Sequence, residues 1–299
     1  MAKIRSVLYD QKVAPYVFVL PFILTFLIFF VYPLITTIKM SFQDVLPGMI
    51  TPVGLKNYQK LLGDKIFRTA VSNSLLYTVW TLALLIPIPL VLACMINSRS
   101  MVGKEFFKAI LFLPALVSVV VAGTIFRLMF GEVEGSLMNT VRGFFGLGPI
   151  KWLKVRETGF AAMVLMALWR WTGVNILYFL SGLNNIPPEL YECSEIDGAN
   201  VWQQFRYISV PLVKPTIIYV LTISIYAGLA MFTESYMLWA GNNSPKNIGL
   251  TIVGYLYRQG WEQNRMGYAS AVGLVLLMVA MAINLVQLRL TGVLGGGEK

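Results

Sequence analysis

Six stretches of this chain are apolar for longer than a soluble helix requires, and short polar connections separate them. They lie near 14–40, 69–97, 107–131, 158–185, 211–240 and 266–290. A hydrocarbon core of about 30 Å takes roughly 20 helical residues to cross. The pattern predicts an all-α, polytopic membrane protein with six transmembrane helices, organised as a single domain over 1–299. Connection 186–210 stands out as polar and acidic between two long apolar spans.

The first stretch follows Lys3, Arg5 and Lys12, as in a signal peptide. Its apolar run is too long for one and no small-residue cleavage motif follows, so a retained signal-anchor helix is expected. Pro15 and Pro21 fall near its start, where a missing backbone donor matters least. Pro87 and Pro89 lie inside the second stretch and predict a kink there. Such a break survives in a membrane only where neighbouring helices answer the freed carbonyls.

An even number of spans puts both termini on one side. The density of Lys and Arg selects the side: 6 in the 26 positions of 1–14 and 97–108, against 11 in the 79 positions of 41–68, 132–157 and 241–265. The positive-inside rule then makes both termini cytoplasmic. This topology also makes 186–210 cytoplasmic, although Glu189, Glu192, Glu195 and Asp197 sit there with no base among them. An orientation signal would be basic, so a local requirement, such as a protein partner, overrides it.

Composition agrees and narrows the chemistry. The chain is 57% hydrophobic and only 13% charged, against about 25% charged in soluble domains. The net charge of +10 comes from basic residues scattered through loops, with no stripe that would bind nucleic acid. There is no histidine, and Cys94 and Cys193 fall on separate segments, so neither a metal set nor a disulfide framework is expected. ATP hydrolysis needs GxxxxGK[ST], which is absent; Gly295, Gly296 and Gly297 do not form one. The expected role is therefore not that of an enzyme, with no catalytic residue, metal or cofactor on this chain.

Within 186–210, Asn184 or Asn185 is expected to cap a helix whose first turn holds Pro187, Pro188 and Glu189. Gly198 should end that helix in a left-handed turn. Val201, Trp202, Phe205 and Ile208 then recur at helical spacing, the pattern of a helix lying along a membrane surface, and Pro211 opens span five. On these residues alone, an ordinary surface loop fits equally well.

Glu192-Cys193-Ser194-x-x-x-Gly198, nine residues, then Ile208-x-Val210-Pro211, resembles the EAA loop of ABC importer permeases. Cys193 and Ser194 stand in place of alanine and Val210 in place of leucine, and Asp197-Gly198-Ala199 resembles the carbohydrate-importing branch. The resemblance extends to LWRWTGVNILYFLSGLNNIPPELYE, YMLWAGNNSP and GLTIVGYLYRQGWEQNRMGYASAVGLVLL, which are similar to the larger subunit of maltose-type importers. The ESYMLW and GNNSPKNIGLT stretches look most like permeases for arabino-oligosaccharides in Gram-positive bacteria. Neither the extra amino-terminal spans nor the large external domain of the enteric maltose subunit is expected.

The resemblance implies a type I ABC importer fold and an ATPase-coupling role for Glu189, Glu192, Cys193, Ser194, Asp197, Gly198, Ala199 and Pro211. It implies a second homologous permease, two ATPase subunits that hold ATP and Mg, an extracellular solute-binding protein, and a sugar or oligosaccharide cargo moved by alternating access. A permease for glycerol-phosphate or another small solute is the alternative within the family. An ion-coupled secondary transporter is the alternative outside it, and no repeated halves of that class are visible here.

Charges inside a span are costly and mark functional candidates. Arg170 falls mid-span four and Glu234 deep in span five. Asn175 and Tyr178 follow Arg170 by about one and two turns and are expected to share its face. Tyr236 and Trp239 continue from Glu234. These six either line a sugar pathway, through hydroxyls, amides and aromatic faces, or include a buried Arg170–Glu234 pair that holds the helices together. Arg127 is expected to snorkel to the interface.

Overall fold

The computed structural model describes residues 12–98 and 101–293. Lys3, Arg5 and the Gly295–Gly297 run lie outside the described residues.

The elements run α1 (Ala14–Ser41), β1 (Gln43–Leu46), β2 (Met49–Pro52), α2 (Lys56–Gly63), α3 (Lys65–Leu85), α4 (Pro87–Asn97), α5 (Lys104–Leu116), α6 (Val119–Met129), α7 (Leu137–Phe144), α8 (Arg156–Leu183), α9 (Pro188–Ile196), α10 (Val201–Leu212), α11 (Lys214–Leu229), α12 (Thr233–Leu238), α13 (Ile252–Tyr257) and α14 (Met266–Leu290). Four continuous helical segments are long and apolar enough to cross a membrane: α1, α3 with α4, α8 and α14. Two bent pairs, α5 with α6 and α10 with α11, raise the number to six.

Cα packing divides the chain into two units, residues 1–63 with 256–275, and residues 64–255 with 276–299. In the first, α1 is the apolar extreme: none of its residues before Ser41 is buried within the chain, and Phe18, Phe22 and Phe29 point outward. A helix this apolar, with no buried residue before Ser41, suits lipid. The connection after it is not the plain loop that periodicity suggests. Pro47-Gly48, with Gly48 at φ +77, turns β1 back on β2 in antiparallel register, Leu46 opposite Met49. Asn57 on α2 secures the hairpin by donating to the carbonyls of Ser41 and Gln43, both at 2.9 Å.

In the second unit two apolar clusters surround α8. One gathers Tyr77, Phe126, Phe160, Met163 and Leu238; the other gathers Leu90, Ile176, Phe179, Leu183 and Val213. Gly173 lets α8 approach the α5 backbone at Leu111, where a Cβ would collide with a carbonyl.

Span two divides at Ile86, between α3 and α4, as its prolines predict. Pro89 has no N–H for the Leu85 carbonyl, and Asn175 Nδ2 on α8 donates to that carbonyl at 2.8 Å. Two π turns have a related origin. Leu27–Val31 and Phe205–Ser209 each end two residues before a proline, Pro33 and Pro211, and the last amide before each proline reaches five residues back.

Two spans depart from expectation. The third is not one helix over 107–131: it turns by 92° at Val117 and Ser118, just after Pro114. The fifth does not continue to 240. It bends by 68° between α10 and α11, stops at Leu229, and resumes as α12 after Ala230, Met231 and Phe232. Packing overrides the apolar run there: α12 lies against α6, and Gly123 leaves room for the Met237 side chain.

Candidate transport and coupling sites

Residues 184–211 fold into two helices around a tight reversal. Asn184 closes α8 instead of capping the next helix, and Pro187 is the residue before α9, with no side-chain cap. The correction follows from Pro187, which itself occupies the N-cap position with a preset φ and no side-chain acceptor, and leaves Asn184 and Asn185 too early to cap α9. At the other end α9 stops at Ile196. Gly198 takes φ +80; its amide donates to the Glu195 carbonyl and that of Ala199 to the Ser194 carbonyl, a Schellman termination. A Cβ at Gly198 would touch nothing within 4 Å, so glycine is required by conformation and not by space.

Asn200 then starts α10 through a capping box. Its Oδ1 accepts from the Gln203 amide at 2.9 Å, while Gln203 Oε1 accepts from the Asn200 amide at 2.7 Å. The N-x-x-Q spacing announces this in the sequence, although Gly198 attracts attention first. Tyr191 and Ser209 join their hydroxyls at 2.9 Å, and Gln204 Nε2 donates to Ser194 Oγ at 3.0 Å. The helix α9 is therefore fastened to α10, and α10 leads by Pro211 into span five. Phe205 and Ile208 face the apolar cluster below, whereas Ile196, Val201 and Trp202 are 86%, 82% and 68% exposed. Exposed apolar side chains beside Glu189, Glu192, Glu195 and Asp197 form a knob with charge and hydrophobic area together. Burial pushes the Tyr191 hydroxyl above its ordinary value of 10.0, with the Ser209 hydrogen bond partly opposing and the Cys94 thiol adding to it.

Arg170 and Glu234 do meet. Arg170 Nη1 is 3.3 Å from Glu234 Oε1, and Nη2 donates to the Val117 carbonyl at 3.4 Å. Val117 is the corner of span three and Glu234 lies in the first turn after the break in span five, so one guanidinium serves both interruptions. Arg170 Nε is buried with no partner among the described residues.

The remaining candidates do not gather around this pair. Asn175 uses its amide on Leu85, because five residues along a helix is about 140° around it. Tyr178 packs edge-on against Tyr219 at 5.5 Å, Tyr236 lies tilted against Phe232 at 5.2 Å, and Trp239 Nε1 donates to the Leu153 carbonyl at 2.9 Å. Trp239 lines a cavity of about 260 Å³ with Arg127, Glu132, Lys154 and Asn243. Tyr178 lines another, of about 340 Å³, with Ser181, Gly182, Asn185, Pro215, Thr216 and Tyr219. Apart from Tyr178, that second group escapes sequence reasoning, because its two halves come from different spans.

These features define a class: a helical membrane protein with interrupted spans, a buried ion pair between them, and an acidic, tightly terminated helix projecting from the span ends. Residues 13–294 match the family described as binding-protein-dependent transport system inner membrane component, and the chain belongs to it. It is 53% identical to the arabinooligosaccharides transport system permease protein AraP of Bacillus subtilis (strain 168), covering 96% of this chain and 91% of that one. The AraP protein of Halalkalibacterium halodurans is 47% identical over 97% of this chain and 91% of its own length. Among solved structures, a bacterial ABC transporter that imports the acidic polysaccharide alginate superposes with a TM-score of 0.84 at 26% identity, covering 95% of this chain and 96% of that one. The fold is thus that of a type I ABC importer permease.

Proposed function

We propose that the chain translocates a neutral oligosaccharide, of the arabinose-containing kind that AraP is named for, in an ATP-driven importer. Both termini face the cytoplasm. The α9 knob docks into a separate ATPase subunit, and two such subunits hold ATP and Mg. A second, homologous permease completes the membrane pathway, and an external binding protein delivers the sugar. The chain acts as one transmembrane domain.

The observation that carries the reading is the construction of α9. A surface loop has no use for a helix stopped by a Schellman turn, fastened through Tyr191 and Ser209, and left with Ile196, Val201 and Trp202 exposed among carboxylates. That construction transmits force. A push on α9 passes through Gly198, the Asn200 box and Pro211 into span five, and the bend between α10 and α11 supplies the lever. Rocking of the interrupted spans then alternates access from one side to the other. Cys193 and Ala199 are small side chains on the docking side of the turn, and Arg170, Asn175, Tyr178, Glu234, Tyr236 and Trp239 shape the walls along which sugar passes or hold those walls in place.

Co-reconstitution with the ATPase, second permease and binding protein tests this directly. ATP-dependent uptake of arabino-oligosaccharide is expected, and Gly198→Val should leave ATP hydrolysis running while uptake falls. Uptake driven by an ion gradient without ATP would overturn the proposal.

A further inference from the structure

We propose that the cavity between the end of α8 and the start of α11 is a second carbohydrate site, occupied as sugar leaves at the coupling-loop end of the spans. The assignment rests on the reading of the chain as a carbohydrate permease.

Three observations converge. First, Tyr178, Ser181 and Asn185 recur at i, i+3 and i+7, one face of α8, while Thr216 and Tyr219 recur at i and i+3 on α11. Gly182 permits the approach of the two helices, since a Cβ there would press into the Thr216 side chain. Second, these five polar side chains carry no side-chain hydrogen bond to any other described residue, and Tyr178 and Tyr219 touch only ring to ring. Ser181, Asn185 and Tyr219 are exposed, whereas the buried Asn73, Asn139, Asn175 and Ser235 are committed to backbone groups. Five donors and acceptors without a protein partner therefore line an open groove of about 340 Å³, where a polar ligand can reach all of them.

Third, the lining selects a chemistry. Hydroxyl and amide groups match sugar hydroxyls, and the two tyrosine rings, set nearly perpendicular at 81°, offer faces to sugar C–H groups. No Lys, Arg, Asp or Glu lines the cavity, so it lacks a counter-charge for a phosphate or a uronic acid. Asn185 stands three residues before α9. A movement of the docking helix therefore opens or closes this cavity, while the Arg170–Glu234 pair lies two turns and more away along α8.

The test uses the complete transporter in lipid nanodiscs without nucleotide, carrying Ser181→Cys in a Cys94→Ala, Cys193→Ala background. The probe is arabinotriose, with tri-galacturonate as the charged comparison. Arabinotriose should slow maleimide labelling of the introduced thiol, and tri-galacturonate should not. Thr216→Val with Tyr219→Phe should weaken that protection by about tenfold, with the complex still eluting intact on gel filtration. Arabinotriose uptake by the assembled transporter together with undiminished labelling would overturn the site alone. A transporter that neither takes up nor binds arabinotriose would overturn the underlying reading, and the site with it.

Discussion

Arg170 and Glu234, 64 residues apart in sequence, meet at 3.3 Å, and the second amino group of the same guanidinium holds the Val117 carbonyl. The corner of span three and the break in span five therefore depend on one side chain. Removing one partner of a buried pair leaves a charge without its counter-ion, at a cost of about 3–5 kcal/mol. Arg170→Met alone should lower the thermal midpoint and the yield of assembled complex. Arg170→Met with Glu234→Met should recover most of the loss. Uptake kinetics separate stabilisation from cargo contact: unchanged sugar affinity in the surviving Glu234→Gln complex would remove the pair from the pathway.

Pro89 and Asn175 form a second dependent pair. Asn175→Leu leaves the Leu85 carbonyl unanswered inside the spans and should destabilise by about 1–3 kcal/mol. Pro89→Ala restores an amide for that carbonyl, so the double variant should regain stability. A double-mutant cycle on thermal unfolding measures the coupling.

Gly198 separates conformation from bulk. A Cβ there meets no atom within 4 Å, so the penalty of substitution comes from φ +80, about 1–2 kcal/mol for an L-residue. Gly198→Asn, which tolerates that region, should keep more of the uptake coupled to ATP hydrolysis than Gly198→Val. The ratio of sugar moved to ATP hydrolysed is the measurement, and equal ratios would contradict the turn's role.

Tyr191 governs the tether between α9 and α10. Tyr191→Phe should cost about 0.5–1.5 kcal/mol and increase protease cutting within 187–211. Burial raises this hydroxyl above 10.0, so the folded loop holds the neutral form more tightly than the unfolded chain does. The resulting stabilisation is complete below the ordinary value and disappears as pH rises through the higher folded value. Coupling should not change through this group between about pH 6 and 9. Tyrosinate absorbance, wild type minus Tyr191→Phe, should show the missing step above 10.0.

Cys193 is exposed on the docking helix. In intact cells it should resist an impermeant maleimide, and react when the cytoplasmic face is opened and the ATPase subunits are stripped away. Reaction from outside would invert the topology.

The spans are readable from sequence because a twenty-residue apolar run is imposed by membrane thickness, whatever each helix packs against. Gly198 is readable for a similar reason: a left-handed turn constrains residue type locally. The breaks are not. Nothing at Ala230, Met231 or Phe232 interrupts a helix by itself; the interruption comes from α12 lying on α6. The Asn184/Asn185 cap fails because Pro187 takes the N-cap position and Asn184 closes the preceding helix. Placing Arg170, Asn175 and Tyr178 on one face counts turns approximately, and a helix distributes them by angle: one reaches Glu234, one Leu85, one Tyr219. The hairpin at Pro47-Gly48 is not legible either, because its two-residue turn signal lies between two long apolar runs.

Asn73 donates to the carbonyls of Asn247 and Leu250, 174 and 177 residues further along, and accepts from Arg156. Segment 244–252, with Lys246 and Asn247 at positive φ, is held by that amide together with the hydroxyls of Ser74 and Ser235. The clamp on it is therefore in place long before the segment it clamps has been synthesised. Insertion of this protein must carry Asn73 through a waiting period, with its amide solvated, until the chain is nearly complete.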